Sequence, residues 1–345
     1  MIQRTAAPAP ASRLGRRLFL AGAATAPLLP PAARAASPPY RIAFANINDA
    51  KDVRVEGLGF TGFDIRRSFE LAARGKPVEL LYFDNASDAE TAVANVADAI
   101  AQKVDLLIAF NSQTEVNPEI ARKAAAAGIP VLALIYPVGD APLYGPDNFA
   151  AGQIAGKALA SFSKQTWPDE TPLAVILGDI GDPSDAVPQR IKGITDALRQ
   201  GIPGLQPTPL DTGGQPQRGD GLLAKFLRQN TRTRVLVATL DDPTALWAKA
   251  AVDLTRRLDD CVIISQGLDP SIHGGANAKK EIDPANRASP VYGSVAYFMD
   301  RYGFDVLPLA LRMLQGEAVP PRTTTRHMLV TAANVFREYP PIDMN

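Results

Sequence analysis

The chain has 345 residues, more than a single hydrophobic core usually serves, so two domains are expected. With 46% apolar and 21% charged residues the chain is not a disordered one, and its single cysteine excludes a disulfide-stapled scaffold. The formal charge is zero, but residues 1–35 hold five arginines and no acid; the remainder carries 31 basic against 36 acidic side chains, a net charge of −5 with no basic footprint for nucleic acid or anionic membrane.

Arg16-Arg17 stands directly before an apolar stretch, residues 18–29, that is too short to span a bilayer, which takes about 20 apolar residues. Ala33-Arg34-Ala35 closes it as a small-x-small cleavage site. The arrangement resembles a twin-arginine export signal, which implies a leader over 1–35, a mature start near Ala36 and a periplasmic destination.

Beyond the leader, short β-rich runs alternate with amphipathic stretches. Strands are predicted over 41–45, 78–83, 105–110 and 131–135, with helices over 61–74, 87–102 and 116–127 between them. In the second helix Ala92, Val93, Val96 and Ile100 form one apolar face. The strands are continuously apolar, as parallel strands covered on both faces should be. After a Pro- and Gly-containing connector at 136–146 the alternation resumes. Helices are expected over 148–164, 185–200, 220–230 and 243–258, and strands over 173–177, 208–211, 235–240 and 262–265. A helix at 304–315 and an apolar run at 328–331 close the chain. Two such series imply an α/β protein of two similar lobes, each a doubly wound parallel sheet, joined by a hinge. The lobes are expected at 36–147 plus about 290–320, and at 148–289 plus about 321–345. Crossings are expected near Asp147, at 287–297 and at 320–326.

Few residues point to catalysis or metal binding. Cys261 opens the apolar run Cys261-Val262-Ile263-Ile264 and reads as a buried core residue. His273 and His327, the only histidines, have no Cys, His or carboxylate at ligand spacing, and no Gly-x-Ser-x-Gly elbow occurs. No cofactor is expected.

Several segments carry a family resemblance by their order and spacing. They are Asp88 before its helix, Val104-Asp105-Leu106-Leu107-Ile108, Ala127-Gly128-Ile129-Pro130-Val131, and Tyr144 through Gly152. They continue with Arg190-Ile191-Lys192-Gly193, Leu240-Asp241-Asp242, Gly267-Leu268-Asp269, Gly303, Leu314-Gln315-Gly316 and Val330 through Val335. Together they resemble the type I periplasmic binding proteins, the family shared with the ligand-binding domains of lactose-repressor-like regulators. The resemblance covers about residues 41–335 and implies two lobes closing on a small ligand, with a sugar or polyol as cargo. It also implies delivery to the membrane permease of an ATP-driven importer, or presentation to a membrane histidine kinase, by a monomeric mature chain that is not an enzyme.

The resemblance assigns ligand hydroxyls to Arg190, Asp241 and Asp269, a donor fork and two acceptors suited to a polyhydroxylated molecule. Each has a plainer reading: Arg190 as decoration of a helix start, Asp269 as a turn residue, and Asp242 as the N-cap of the helix beginning at Pro243. The first lobe departs from the sugar-binding pattern. Ile135-Tyr136 replaces an Asp-Arg pair, Phe110 stands for an asparagine with Asn111 one place later, and Tyr297 replaces a hinge glutamine. Asn46 and Asn48 read as neutral contacts or loop caps, and Phe60 and Phe63 as stacking surfaces or core.

One rival motif is present. Gly57-Leu58-Gly59-Phe60-Thr61-Gly62 fits the dinucleotide pattern, with Asp84 beyond it. Its first glycine does not close the strand, since residues 46–56 intervene with five charged side chains. The second half also repeats the first, which a dehydrogenase would not do.

Overall fold

The computed structural model describes residues 39–340 apart from 56–57, 183, 275–279 and 287. The expected leader over 1–35 with its arginines and cleavage site, the expected mature start at Ala36, and Gly57 and Arg287 lie outside the described residues. The first series runs β1 (Tyr40–Asn46), α1 (Gly62–Ala73), β2 (Val78–Asp84), α2 (Ala89–Ala101), β3 (Leu106–Ala109), α3 (Asn117–Ala126), β4 (Val131–Leu134) and β5 (Leu143–Gly145). The second runs α4 (Asn148–Thr166), β6 (Leu173–Gly178), α5 (Ala186–Gly201), β7 (Thr208–Asp211), α6 (Arg218–Gln229), β8 (Val235–Thr239), α7 (Asp242–Thr255), β9 (Cys261–Gly267), α8 (Pro270–His273) and β10 (Val291–Ala296). The chain ends with α9 (Tyr302–Leu314), β11 (Arg322–Thr324), β12 (Met328–Thr331) and α10 (Val335–Glu338).

The strands form two six-stranded sheets, ordered β11-β5-β4-β3-β1-β2 and β12-β10-β9-β8-β6-β7. All pairings are parallel except β10 with β12. Side chains alternate across each sheet, and both faces are buried. Ile42, Phe44, Leu106, Ile108, Leu132 and Leu134 join one core cluster, while Ala43, Ala45, Leu107, Ala109 and Ala133 join another beneath α2 and α3. The second sheet divides the same way, with Ile176, Leu236 and Ile264 on one side and Val175, Val237 and Ile263 on the other. This is why the strands read as unbroken apolar runs. Cys261 is buried in that second cluster, and burial pushes its thiol up to about 12.

Sheet membership moves two expected boundaries. The sequence pattern assigns residues from about 290 to the first lobe, but β10 extends the second sheet beside β9, so the chain returns to the first lobe only after Ala296. It assigns residues from about 321 to the second lobe, yet β11 pairs with β5 in the first sheet. The three crossings therefore lie between β5 and α4, between β10 and α9, and between β11 and β12. His327 ties them together. The Asp147 N–H donates to Nε2 at 3.0 Å, and Nδ1 lies 3.0 Å from the Ala296 carbonyl. A neutral imidazole protonated on Nδ1 satisfies both contacts, and burial lowers the pKa of this ring.

Candidate functional site

The segments that follow β3 and β4 in the first lobe, the loop and first turn of α5 in the second, and the first crossing bound a cavity of about 840 Å³. Ser112, Thr114, Ile135 and Tyr136 line it from the first lobe, Asp185 and Gln189 from the second, and Asn148 from the crossing. Ile135 holds a left-handed backbone, φ 64°, which costs a β-branched residue about 1–3 kcal/mol. That strained turn ends β4 beside Tyr136, whose ring stacks on Phe110 with centroids 6.1 Å apart.

Behind Asn148 stands Arg190. Gly152 of α4 and Gly193 of α5 bring the two helices into backbone contact: a Cβ on Gly193 would lie 2.1 Å from the Phe149 carbonyl oxygen, and one on Gly152 2.2 Å from that of Arg190. The approach buries Arg190 at 2% exposure. Its guanidinium donates to the Leu240 carbonyl and to Asn148 Oδ1 (2.8 Å), over the Tyr297 ring at 5.2 Å. The Tyr297 hydroxyl in turn lies 3.2 Å from both Asn148 Oδ1 and Gln266 Oε1. Two buried donors in this group, Arg190 Nε and Gln266 Nε2, have no partner among the described residues. Arg190 is thus a buried network member rather than decoration of a helix surface.

The second-lobe carboxylates divide their work differently from the expectation. Asp241, not Asp242, is the N-cap of α7, accepting from the Thr244 N–H at 2.6 Å and its hydroxyl at 2.8 Å. Asp242 is fully buried and accepts from Ser265, from Ser294 (2.8 Å) and from the Asp269 N–H (2.7 Å). The reason is positional: Asp241 has the extended backbone of a cap, whereas Asp242 is the first helical residue and turns inward. Asp269 caps α8 through the Ser271 N–H at 2.7 Å. Burial raises the pKa of all three, most strongly for Asp242, where the charge of Asp269 adds to it.

Other first-lobe candidates take structural roles. Asn46 is buried and its amide donates to the Gly62 carbonyl at 2.9 Å, closing the segment between β1 and α1. Asn48 accepts from the Ala50 N–H at 2.8 Å and donates to Ser87 at 3.2 Å, a loop cap. Asn111 is buried against Asn117, its amide 2.9 Å from Asn117 Oδ1. Phe60 is 1% exposed and belongs to the core, not to an open stacking surface. Phe63 lies under Lys51 and Arg66. Of the predicted residues, the structure joins Arg190 with Tyr297 in one network and puts Tyr136 on the cavity wall. Asn148 and Gln266, which complete the network, were not singled out in the sequence; an asparagine directly after the cap Asp147 was the available signal.

A family profile described as "Periplasmic binding protein domain" matches residues 56–318. The chain belongs to that family. None of the curated proteins matches it by sequence. Among solved structures, an ABC transporter periplasmic solute binding protein from Actinobacillus succinogenes with bound D-allose superposes with TM-score 0.68 at 17% identity, covering 87% of this chain and 100% of that one. A solute binding protein from Bacillus halodurans with bound myo-inositol gives 0.62 at 19%, covering 88% and 99%. One from Mycobacterium smegmatis with bound glycerol gives 0.65 at 19%, covering 87% and 96%. These likenesses show the shared fold.

Periplasmic binding proteins are solute binders and not enzymes. β1 ends at Asn46, well before the dinucleotide motif, and within the described part of the motif Gly59, with φ +91°, packs against Asp269. Among the described residues no cluster of His, Cys and carboxylates could hold a metal, and no helix is long and apolar enough to cross a membrane.

Proposed function

We propose that this periplasmic binding protein captures a small sugar or polyol in the interlobe cavity and delivers it to the permease of an ATP-driven importer. The observation that carries the reading is the cavity itself, walled by strand ends of the first lobe, the start of α5 in the second and a crossing segment. Its polar lining alternates hydroxyl, amide and carboxylate groups with the Tyr136 ring, a mixture that suits hydroxyls on one side of a molecule and C–H surface on the other. D-allose, myo-inositol and glycerol in the superposed relatives are all polyhydroxylated, and those relatives are named as ABC transporter components, which favours an importer over a kinase as partner. Export by the twin-arginine leader at Arg16-Arg17 places the mature chain, from near Ala36, in the periplasm.

A thermal-shift screen of the purified protein against hexoses, pentoses, inositols and linear polyols tests the ligand class. At least one polyhydroxylated compound should raise the unfolding temperature in a saturable way. If none does at millimolar concentration while another class of metabolite does, the ligand assignment is wrong.

A further inference from the structure

The third crossing holds the first at three consecutive residues. Thr325 gives its N–H to the Gly145 carbonyl at 2.9 Å, Arg322 donates to the Pro146 carbonyl at 3.1 Å, and His327 Nε2 accepts from the Asp147 N–H at 3.0 Å. The other nitrogen of the His327 ring reaches the second crossing, with Nδ1 3.0 Å from the Ala296 carbonyl and the Tyr297 ring edge-on at 4.6 Å. One imidazole thus touches all three crossings, as acceptor toward one and as donor toward another. Of the three holds on the first crossing, this is the one that a proton can reverse. A peptide N–H needs an acceptor, and Nε2 accepts only while it carries no proton.

A proton on Nε2 would set two donors head to head at Asp147, while the Nδ1 contact with Ala296 would survive. Four side chains with charge or a titratable group surround the ring: the Asp147 carboxylate on the first crossing, the Arg190 guanidinium from α5, Tyr297 on the second crossing, and Arg326 next along the chain, which is turned to the Phe298 ring at 5.9 Å. Arg190 opposes an imidazolium and the Asp147 carboxylate favours one. That carboxylate, however, is the N-cap of α4, accepting from the Ala150 N–H at 2.9 Å. A charged ring therefore either loses the Asp147 peptide or draws the cap away from α4, and in both cases the first crossing moves. We propose that His327 is an acid-sensitive latch on the hinge: neutral, it ties the three crossings together, and protonated, it frees the Asp147 peptide at the start of α4. Asp147 and Asn148 line the cavity, so release alters its wall, whatever the cavity binds. Burial keeps the pKa of His327 below its ordinary 6.5, so the latch is closed at neutral pH and opens as pH falls below that value.

The chain has only two histidines, so ¹⁵N-histidine NMR of the parent resolves both rings and His273→Phe identifies the signal of His327. At about pH 7.5 that ring should be neutral with its proton on Nδ1, and it should titrate below 6.5. Hydrogen exchange read by mass spectrometry on peptides spanning residues 144–150, corrected for the intrinsic pH dependence of exchange, should lose about tenfold protection with the same midpoint, the ordinary worth of one hydrogen bond. His327→Gln keeps a side-chain oxygen able to accept from Asp147, takes up no proton in this range and shares every carboxylate with the parent; its protection should stay constant. An equal loss in His327→Gln overturns the inference, as does constant protection in the parent across the His327 titration, or a ring that stays neutral until the whole protein unfolds. Because the titration and the exchange are both read on the parent, they decide the matter even if His327→Gln does not fold.

Discussion

Replacing Arg190 by alanine should cost the fold as well as the ligand. The guanidinium, 2% exposed, donates to the Leu240 carbonyl and to Asn148 Oδ1 and covers the Tyr297 ring. Hydrogen bonds from a charged donor contribute about 1.5–3 kcal/mol each, and stranding the buried Leu240 carbonyl adds to the loss. Water entering the vacated space would recover part of it, so a net destabilisation of about 3–5 kcal/mol is expected. At about 2–4 °C per kcal/mol for a unit of 150–250 residues, the unfolding temperature should fall by roughly 6–20 °C. Arg190→Lys should recover less than half, because an ammonium cannot bridge the two acceptors and lie flat over the tyrosine. Urea unfolding followed by tryptophan fluorescence, with calorimetric melts as a second probe, measures both variants. A loss below about 1 kcal/mol for Arg190→Ala would mean that the buried network does not hold the two helices to β8, and the reasoning fails.

Further outcomes follow from the same geometry. Gly193→Ala places a methyl group 2.1 Å from the Phe149 carbonyl oxygen, so α4 and α5 must separate; overpacking of this kind should lower stability by about 2–3 kcal/mol, read as a shift in the urea midpoint. Burial lowers the pKa of His273 to about 4, from an ordinary value of 6.5. The folded state then binds fewer protons than the unfolded one, so this residue's contribution is present above pH 6.5 and is lost as pH falls toward 4. The stability advantage of the parent over His273→Phe should shrink by on the order of 3 kcal/mol between pH 7 and pH 4, and an advantage independent of pH would contradict the assignment. Arg16→Lys with Arg17→Lys should leave unprocessed precursor in the cytoplasm, checked by fractionation and immunoblot, whereas normal processing would remove the twin-arginine reading.

Most elements were legible because parallel strands buried on both faces must be apolar throughout; β6 and β8 fall within one residue of the predicted runs. β5 and β11 escaped because each is only three residues long, and Arg322-Thr323-Thr324, at the sheet edge, has no apolar residue to mark it. β10 escaped because Tyr292, Gly293 and Ser294 break its run, and its register shifts between Val291 and Gly293. Around the site, the family resemblance pointed to Arg190 and Tyr297, and their burial joins them in one network. The same logic could not rank Asp241 against Asp242, since either carboxylate can cap the helix and only the inward turn of Asp242 toward Ser265 and Ser294 decides it. Nor could it find Arg54 against Asp269, a pair 215 residues apart whose meeting depends on Gly59 and Gly267.

The central claim is that cargo sits between the lobes, and a crystal structure grown with the most stabilising polyol tests it directly. The account predicts ligand density in the cavity, between Tyr136 and Thr114 on one side and Asn148 and Gln189 on the other. Density instead in the apolar groove of the first lobe lined by Ala121, Ile129, Val138 and Met313, or an empty cleft at a saturating concentration, would contradict it.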